Sequence, residues 1–396
     1  MAEFPPPSTL TWLNIAARVL YAITIRLLTL PIRLLNWRGA PTIIEDLFFT
    51  AVRTLLSHSN LAVFRAIFKP TASAYQEFCT KTGQKARSLT VQGAQAHWIG
   101  DENADVVVLY LHGGGYVCPA SPDHFTYLSN LEKAINTHRI DGGAGRTLSI
   151  SFLVLEYSLA PAQAVFPAPL REAALTLSHL LTSSYRLPSQ IMLAGDSAGG
   201  ALVIALLSHI VHSKAGIPKV ELMEPLRGAV VLSPWVSFDT TFDSYTRNAE
   251  SDTLTASVMR MWAAMYLGEI IASNERAVTW PVQSNDVYAE ALLAQPAWWS
   301  GVDNVVDSML VWFGRNEVLR DPIVEFVSKM KEGWKAGGGL DEGVLVVEGR
   351  DEPHIGPILS VSMGKSKTSS QVAVEMWFLD QLGAGKASSL MRPLAP

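Results

Sequence analysis

Residues 190–200 read QIMLAGDSAGG, and the architecture of the chain can be worked out from them. The apolar run at 190–194 predicts a short buried strand, and residues 198–212 have the apolar content of a buried helix. A G-x-S-x-G sequence between a strand and a helix presents its serine, here Ser197, on a sharp turn with the hydroxyl exposed. Gly195 has no Cβ, so the strand and the helix can approach closely. We predict that Ser197 is a nucleophile; the alternative is a helix-capping serine in a glycine-rich turn.

Apolar runs of the same kind recur along the chain and predict a sheet. They lie at 104–111, 148–157, 229–232, 309–313 and 344–348. Helical segments are predicted between them, at 169–182, 198–212 and 321–335. Because buried strands that alternate with helices form parallel sheets covered on both faces, the chain is predicted to be an α/β protein. Two blocks interrupt the alternation, a helical one at 41–90 and a Trp-, Met- and Tyr-rich one at about 240–300, and together they are predicted to form a cap.

A second glycine-rich sequence, HGGG at 112–115, follows the strand at 104–111. Glycines leave backbone N–H groups unhindered, so that two of them can point at one negatively charged oxygen. The N–H of Ala198 and the dipole of the helix that begins after Ser197 are directed at the same charge. The alternatives are a flexible turn and a catalytic base at His112; we expect instead that His112 braces the loop.

The general base is predicted by elimination. Where a serine on such a strand–turn–helix is activated by a histidine, the order along the chain is serine, acid, histidine. Three histidines follow Ser197, namely His209, His212 and His354. The first two lie along the helix that starts at the serine, and we expect them to point away from the turn. His354 follows the strand predicted at 344–348, in a loop that can reach back over the sheet, and is the predicted base.

The acid that orients His354 is predicted on the loop after the strand at 309–313. This loop contains Glu317 and Asp321, and Glu317 is nearer to the end of the strand. We therefore predict Glu317 as the acid. Asp321 is the competitor, although the proline that follows it indicates a helix N-cap. Asp351 is so close to His354 in sequence that its carboxylate reaches the imidazole less easily.

Five pieces of the chain resemble the hormone-sensitive-lipase-like branch of the α/β-hydrolases. They are HGGG at 112–115, EYSLAP with FPAPL at 156–170, GDSAGG at 195–200, LSPW at 232–235 and NEVLRD at 316–321. The resemblance implies an α/β-hydrolase fold with a mostly parallel sheet, in a domain of residues 41–396. It implies an oxyanion hole made by Gly114, Gly115 and Ala198. It also implies an acid at Glu317, where Asp is more usual, and supporting motif residues His112, Gly113, Gly195 and Asp196.

The composition excludes several classes of function. The net charge is −5 and there is no long Lys/Arg block, so nucleic acid is not an expected partner. Two cysteines, Cys79 and Cys118, exclude a disulfide scaffold, and no Cys/His spacing resembles a zinc site. The predicted serine chemistry needs no metal and no cofactor. The mean hydropathy of +0.20 is high for a soluble protein and indicates contact with a membrane.

The amino-terminal segment, predicted at 1–40, is the compositional outlier. From residue 10 to residue 37 it is apolar without any acid, and its charges are Arg18, Arg26 and Arg33. On a helix these arginines fall within roughly 80° of one another and leave a wide apolar face, but they interrupt the run of about 20 apolar residues that a spanning helix needs. We predict an amphipathic segment on a membrane surface, at the endoplasmic reticulum or a cytoplasmic membrane face, with its arginines extended to the headgroups. The alternatives are a marginal signal anchor, a mitochondrial presequence, a lid over the domain and a soluble cytoplasmic protein.

These residues together predict a serine hydrolase that cleaves carboxylic esters of a small hydrophobic substrate. The amino terminus resembles that of anchored family members that remove acetyl groups from lipophilic metabolites. Five aromatic residues are candidates for the lining of an apolar cap that favours a hydrophobic substrate, and ordinary packing of the cap is the alternative for each of them: Trp262, Tyr266, Trp280, Trp298 and Trp299. Two rival hypotheses stay open. An acyltransferase or biosynthetic cyclase would use the same residues with an alcohol or amine in place of water, and a ligand-binding protein would keep the fold without the reaction.

Overall fold

One mixed sheet of eight strands forms the centre of the molecule, in the order β1-β2-β4-β3-β5-β6-β7-β8. The computed structural model describes residues 6–33, 39–141, 148–270 and 280–383, without the side chains of 139–141, and parts of the predicted amino-terminal segment (1–5 and 34–38) and insertion (271–279) lie outside these ranges. The strands are β1 Ser88–Val91, β2 Ala94–Ile99, β3 Val106–Leu111, β4 Ile150–Glu156, β5 Ile191–Asp196, β6 Gly228–Leu232, β7 Met309–Gly314 and β8 Val344–Gly349. Strands β3 to β8 are parallel, as predicted, and β2 is antiparallel to β4.

The hairpin of β1 and β2 was not predicted, and the interpretation of 41–90 as wholly helical is wrong at its end. Strand β1 begins at Ser88 and has a single buried residue, Val91. Edge strands of this kind carry polar and apolar residues side by side, so they leave no continuous apolar run in the sequence. The register of β2 on β4, with Ile99 opposite Phe152, is a tertiary contact that extends the parallel sheet on one side.

Helices cover both faces of the sheet because the central strands are buried on both sides. All six residues of β3 are buried. Alternate residues of this strand pack into separate cores, Val107, Leu109 and Leu111 into one and Val106, Val108 and Tyr110 into the other. The helices are α1 Thr9–Leu28, α2 Leu30–Arg33, α3 Ile43–Ser57, α4 Leu61–Ile67, α5 Thr71–Thr82, α6 Pro122–Asp141, α7 Ala168–Thr182, α8 Ala198–His212, α9 Asp243–Arg247, α10 Ala256–Tyr266, α11 Arg320–Ala336, α12 Gly356–Ser362 and α13 Ser369–Gln381.

The two blocks predicted to form a cap meet in the structure. The Phe64 ring of α4 lies against the Trp262 ring of α10, with ring centroids 6.0 Å apart. At the start of α10 the hydroxyl of Thr255 lies 3.1 Å from that of Ser57, the last residue of α3. The amino-terminal helices and the 240–300 region therefore pack against each other.

Two of the five aromatic candidates for the lining of an apolar cap serve ordinary packing instead. The Trp299 ring packs against Phe326 of α11, with centroids 5.4 Å apart. Trp298 donates its indole N–H to the Ser208 hydroxyl on α8, at 2.7 Å. The chain around these residues runs in short 3₁₀ turns against α8 and α11, so their apolar surface serves the packing of the domain. Trp280 is 47% exposed.

The amino-terminal helix α1 packs on α3 through its basic residues. Arg26 donates two hydrogen bonds to the Asp46 carboxylate, at 2.6 and 2.8 Å, and Arg33 donates to the same carboxylate at 2.8 and 3.1 Å. Burial opposes ionisation of Asp46, but the two guanidinium groups outweigh it and lower the pKa of this carboxyl. Arg18 donates to Asn14 on the same helix. The predicted extension of the arginines to lipid headgroups is therefore wrong for Arg26 and Arg33, because a buried carboxylate holds both.

The apolar face of α1 points away from the domain. Its most exposed large side chains are Leu10, Leu13, Leu20, Tyr21 and Leu28, each more than 60% exposed. Ile15 is the only buried residue of this helix. Of the helices in the described ranges, α1 alone is long and apolar enough to cross a membrane by length and composition.

Candidate active site

Ser197 sits on a strained turn between β5 and α8. Its backbone has φ 51° and ψ −121°, a conformation that residues other than glycine rarely adopt. Two residues further on, a Cβ on Gly199 would collide with the carbonyl oxygens of Leu111 and His112, so only glycine lets the helix start so close to β3. Ser197 is 4% exposed. The turn therefore has the conformation predicted for a nucleophile, in a water-poor environment.

His354 reaches Ser197 from the loop after β8. Its Nε2 lies 2.8 Å from the Ser197 Oγ, at hydrogen-bond distance. The two other histidines that follow the serine are occupied elsewhere. Nε2 of His209 donates to a backbone carbonyl at 2.9 Å, and Nε2 of His212 donates to another at 2.6 Å. The structure thus places at Ser197 the histidine chosen by elimination.

Glu317 lies behind the imidazole and is fully buried. One of its oxygens, Oε2, is 3.7 Å from the His354 Nδ1, which is longer than a hydrogen bond. The same oxygen accepts a hydrogen bond of 2.5 Å from the Ser233 hydroxyl and one of 3.3 Å from the Gly314 N–H. Among the described residues, neither Oε1 of Glu317 nor Nδ1 of His354 has a hydrogen-bond partner. The three predicted residues are therefore assembled, with the acid slightly too distant to bond the imidazole.

The charges around His354 favour its protonated form. Burial opposes a charge on the ring, but the carboxylates of Glu317, Asp252 and Asp196 outweigh it and raise the pKa of His354 above its ordinary value. Burial raises the pKa of Glu317, against the opposing effects of the His354 charge and the Ser233 hydrogen bond. An imidazole in this position is therefore a stronger base than a free histidine.

The competing carboxylates are directed elsewhere. Asp321 binds Arg247 at 2.6 Å and accepts the Ser244 N–H at 3.0 Å, so it joins the first turn of α11 to α9. The helix begins one residue earlier than predicted, and Leu319 is its N-cap, so the interpretation of Asp321 as an N-cap is wrong. Asp351 is exposed and lies near the Arg350 side chain.

The HGGG loop lies beside the serine because of the register of two parallel strands. Leu111, the last residue of β3, pairs with Gly195 of β5, so the chain leaves both strands at the same edge. Gly115 has φ 61°, and a Cβ there would collide with the ring of Trp262. The loop is therefore held between the sheet and α10, in a backbone conformation that glycine alone adopts without strain.

His112 is bound within its own loop. Its Nδ1 donates to the Gly113 carbonyl at 2.7 Å, and its ring stacks on Tyr157 with centroids 4.3 Å apart. Burial lowers the pKa of His112 to about 4, so that the ring is neutral near pH 7. These contacts are those of a residue that braces the loop.

Asp196 ties the two glycine motifs together. It is fully buried, and its Oδ1 accepts hydrogen bonds from the Gly113 N–H at 2.9 Å and from the Tyr110 hydroxyl at 2.7 Å. Nε2 of His124 lies 3.3 Å from the other oxygen. Burial opposes the charged forms of both Asp196 and His124. The attraction between the carboxylate and the imidazolium outweighs burial, so the pKa of Asp196 is lowered and that of His124 is raised. Neither Tyr110 nor His124 was predicted, because they stand in a strand and a helix without any motif of their own.

Ser233 was also missed, although it lies in the quoted LSPW piece. Its hydroxyl donates to Glu317 and accepts the Ile355 N–H at 3.0 Å. Its backbone has φ 48°, and its N–H donates to the Trp312 carbonyl at 2.7 Å. Ser233 therefore connects the loop of the acid to the loop of the base, and its position at the end of a buried strand was the available signal.

Asp252 is a second buried carboxylate near His354, and no sequence motif marked it. It is 0% exposed. Oδ1 accepts the backbone N–H groups of His354, at 3.2 Å, and of Thr253, at 2.6 Å, whereas Oδ2 accepts that of Val318 at 2.7 Å. Asp252 thus contacts His354 through the backbone N–H, whereas the Glu317 carboxylate faces the imidazole ring.

The arrangement supplies a hydroxyl, a base in contact with it and a carboxylate behind the base, which is the constellation that transfers acyl groups. Cys79 and Cys118 are buried free thiols. In the part of the chain that the structure describes, no group of three or more His, Cys, Asp or Glu side chains is arranged to hold a metal ion.

Comparison with known proteins assigns the chain to a family. A sequence profile of steryl acetyl hydrolases matches residues 71–377. A Schizosaccharomyces pombe protein named as a steryl acetyl hydrolase is 27% identical over 234 residues, which are 58% of this chain and 55% of that protein. Arylacetamide deacetylase of Bos taurus is 28% identical over 193 residues, which are 46% of this chain and 43% of that protein. The chain thus spans about half the length of the relatives it matches.

Solved structures confirm the predicted fold. An esterase of the bacterial hormone-sensitive lipase family matches with a TM-score of 0.56 and 25% identity, over 97% of this chain and 100% of that chain. A mutant of the esterase E40 matches with a TM-score of 0.56 and 27% identity, over 80% of this chain and 93% of that chain. These relatives are esterases and acetyl hydrolases, which agrees with the predicted class of carboxylic ester hydrolase. The chain belongs to the steryl acetyl hydrolase family, in the hormone-sensitive-lipase-like branch of the α/β-hydrolases.

Proposed function

We propose that the protein hydrolyses carboxylic esters of a hydrophobic alcohol, with Ser197 as the nucleophile, His354 as the general base and Glu317 as the acid. The observation that carries the proposal is the 2.8 Å contact between His354 Nε2 and Ser197 Oγ on a turn with positive φ. A serine that merely caps a helix needs neither the strained backbone nor a buried histidine at its hydroxyl.

In the first half of the reaction, Ser197 Oγ attacks the ester carbonyl carbon and His354 Nε2 takes the hydroxyl proton. The imidazolium that forms is stabilised by Glu317. The present separation of 3.7 Å needs to shorten by less than 1 Å to become a hydrogen bond, and catalytic hydrogen bonds are often long before substrate binds. His354 then gives its proton to the leaving alcohol, and an acyl-enzyme remains on Ser197.

Three backbone N–H groups are the proposed oxyanion donors, those of Gly114, Gly115 and Ala198. None of them donates a hydrogen bond to another group within the described residues. Unpaired, preorganised donors of this kind stabilise a developing negative charge, each by about 3 kcal/mol in the transition state. The bond from Gly113 to Asp196 holds the loop that presents the first two donors.

The second half of the reaction returns the free enzyme. Water takes the place of the alcohol, His354 removes its proton, and the hydroxide attacks the acyl carbonyl carbon. The tetrahedral species collapses to release the carboxylic acid, and the proton on His354 returns to Ser197. Every proton that His354 receives is thus passed on within one turnover.

The proposed substrate is an acetyl or other short acyl ester of a lipophilic alcohol. The names of two relatives, steryl acetyl hydrolase and arylacetamide deacetylase, support an acetyl group. The surroundings of the HGGG loop support an apolar alcohol or acyl group. Trp262 covers Gly115, and the ring of Tyr116 stacks on that of Tyr266 at 3.7 Å.

The test is hydrolysis of p-nitrophenyl esters from acetate to decanoate, together with labelling by a fluorophosphonate probe and mass spectrometry of the labelled peptide. We expect turnover that is fastest with acetate, and a label on Ser197 alone. Denatured protein, in which the turn is lost, is the control and should stay unlabelled.

Each outcome of this test has a distinct meaning. A label on Ser197 without ester turnover would support an acyltransferase with a specific acceptor, because the nucleophile is then active but water is not used. No label and no turnover in the folded protein would contradict the triad and favour a ligand-binding protein.

We also propose that the protein associates with a membrane surface through α1. The support is the outward apolar face of this helix. Arg26 of α1 and Arg33 of α2 are paired with Asp46 of α3 on its other side. An apolar helical face that the domain leaves uncovered is stabilised by burial in the interfacial region of a bilayer.

The double substitution of Leu13 and Leu20 by aspartate should reduce binding to phosphatidylcholine vesicles by at least about tenfold, since each leucine buries apolar surface on insertion. Vesicle flotation measures the bound fraction. Aspartates at Leu187 and Leu340, which are 60% and 75% exposed on the domain, are the matched control and should leave binding unchanged. Equal losses in both doubles, or none in either, would contradict a role of α1.

A further inference from the structure

The segment of residues 250–253 connects the amino-terminal helix to the proposed catalytic loops. It follows α9 and contains the buried Asp252. One carboxylate oxygen accepts the backbone N–H of His354 and the other accepts that of Val318, the residue after Glu317. A single side chain therefore holds the backbone of the base loop and the backbone of the acid loop at a fixed separation.

The backbone hydrogen bonds of Asp252 favour its ionised form. Oδ1 accepts two backbone N–H groups and Oδ2 accepts a third, and the Thr253 hydroxyl lies 3.5 Å from Oδ1. Burial raises the pKa of Asp252 above its ordinary value, and the His354 charge and these N–H donors offset only part of that effect. Among the described residues, the carboxylates that raise the pKa of His354 are those of Glu317, Asp252 and Asp196.

The backbone of this segment is held in turn by arginines from the amino-terminal helices. Arg53 of α3 donates to the Asp252 carbonyl at 2.5 Å and to the Glu250 carbonyl at 3.4 Å. Arg26 of α1 donates to the Glu250 carboxylate at 3.0 Å and to the Glu250 carbonyl at 3.2 Å. Its remaining hydrogen bonds go to Asp46 of α3, so Arg26 ties α1, α3 and the 250–253 segment together.

We infer that Asp252 is a positioning residue for His354 and Glu317, and that Arg26 of the amino-terminal helix acts on the same residue through Glu250. The inference rests on the proposed function, since it assigns a support to that site. It makes α1 part of the framework that aligns the base, in addition to any contact with a membrane.

A positioning residue matters here because proton transfer tolerates only small changes in the distance between donor and acceptor. The gap between His354 and Glu317 is already 3.7 Å, so a further separation of the two loops would prevent their hydrogen bond. Displacements of about 1 Å in an active site can cost about a hundredfold in rate. Asp252 opposes this separation directly, and Arg26 limits the freedom of the segment that carries Asp252.

The first test is Asp252→Asn, which keeps the volume but loses the charge and turns one acceptor into a donor. We expect kcat for p-nitrophenyl acetate to fall about 10- to 100-fold with a small change in KM. The acid limb of the pH profile of kcat/KM should move to lower pH, because the variant lacks a charge that raises the pKa of His354. A residue that only stabilises the fold would lower the melting temperature without moving this limb.

The second test compares Arg26→Ala with Arg18→Ala, the same change of charge on the same helix. Arg18 contacts only Asn14 of its own helix among the hydrogen bonds of the described residues, so its loss should leave kcat unchanged. We expect Arg26→Ala to lower kcat about 3- to 10-fold. The variant is expected to fold, because Arg33 still pairs with Asp46. In the double variant with Asp252→Asn the loss should be smaller than the product of the two single losses.

Fluorophosphonate titration gives the concentration of folded sites for every variant, so that kcat refers to active enzyme. An unmoved acid limb in Asp252→Asn, or equal kcat values for Arg26→Ala and Arg18→Ala, would overturn the inference. If Asp252→Asn does not fold, the comparison of the two arginine variants decides. Failure of the wild type to be labelled would instead refute the proposed function itself.

Discussion

Alanine at Ser197 or at His354 should lower kcat by about 10⁵- to 10⁶-fold, and the double variant should be no slower than either single one. The two side chains act as one unit, since the hydroxyl is a poor nucleophile without the base and the base has no proton to take without the hydroxyl. The residual rate would come from the oxyanion donors and from substrate binding. Steady-state kinetics with p-nitrophenyl acetate on purified, probe-titrated protein measures the effect.

His212→Ala is the matched control for the histidine. His212 also follows Ser197 in the chain, but it bonds a backbone carbonyl at the far end of α8. Its replacement should change kcat by less than a few fold. Retention of kcat within tenfold of the wild type in His354→Ala would show that the base lies elsewhere.

Gln at position 317 should lower kcat by about 10⁴-fold, with little change in KM, because an amide is uncharged and cannot stabilise the imidazolium. The pH profile provides an independent check. The base must be neutral to accept a proton, so kcat/KM of the wild type falls as the pH drops through the pKa of His354. That pKa is raised above the ordinary value of about 6.5, so the loss begins nearer to neutral pH. In Glu317→Gln the acid limb should move to lower pH, since the largest favourable charge is gone.

Asp321→Asn is the matched control for the acid, as the other carboxylate of the same loop. It binds Arg247 and the backbone of α9, so its replacement is expected to affect stability and to leave the acid limb in place. If Asp321→Asn moved the limb and Glu317→Gln did not, the assignment of the acid would have to be exchanged.

Much of the candidate site could be predicted because motif residues follow the ends of buried parallel strands. Such strands leave the sheet at one edge, so glycine loops after β3 and β5 are neighbours once the two strands pair. The same reasoning led to Glu317 after β7 and His354 after β8. Elimination sufficed for the histidine because only three follow Ser197.

The supporting residues could not be predicted in this way. Asp252 binds the backbone of a residue 102 positions away, and Ser233 bonds Glu317 across 84 positions. Neither contact depends on a local pattern, because a polar residue in a loop has many conceivable partners and tertiary packing selects one. The same limitation explains Trp298 and Trp299, whose apolar character predicted burial without indicating where.

The amino-terminal arginines show most clearly where prediction from the sequence ends and tertiary contacts decide. Helical periodicity placed Arg26 and Arg33 on one stripe, but it does not say what that stripe faces. The stripe faces Asp46 in α3, because burial of this carboxylate costs much less free energy when two guanidinium groups pair with it than when it is left alone.

The sequence by itself determined the α/β architecture and the order of the chemistry-bearing residues, because strand periodicity and glycine motifs are local properties of the chain. The tertiary structure alone decided the separation of Glu317 from His354, the supports at Ser233 and Asp252, and the direction of the apolar face of α1. These depend on contacts between distant segments, whose geometry follows from the packing of the whole domain.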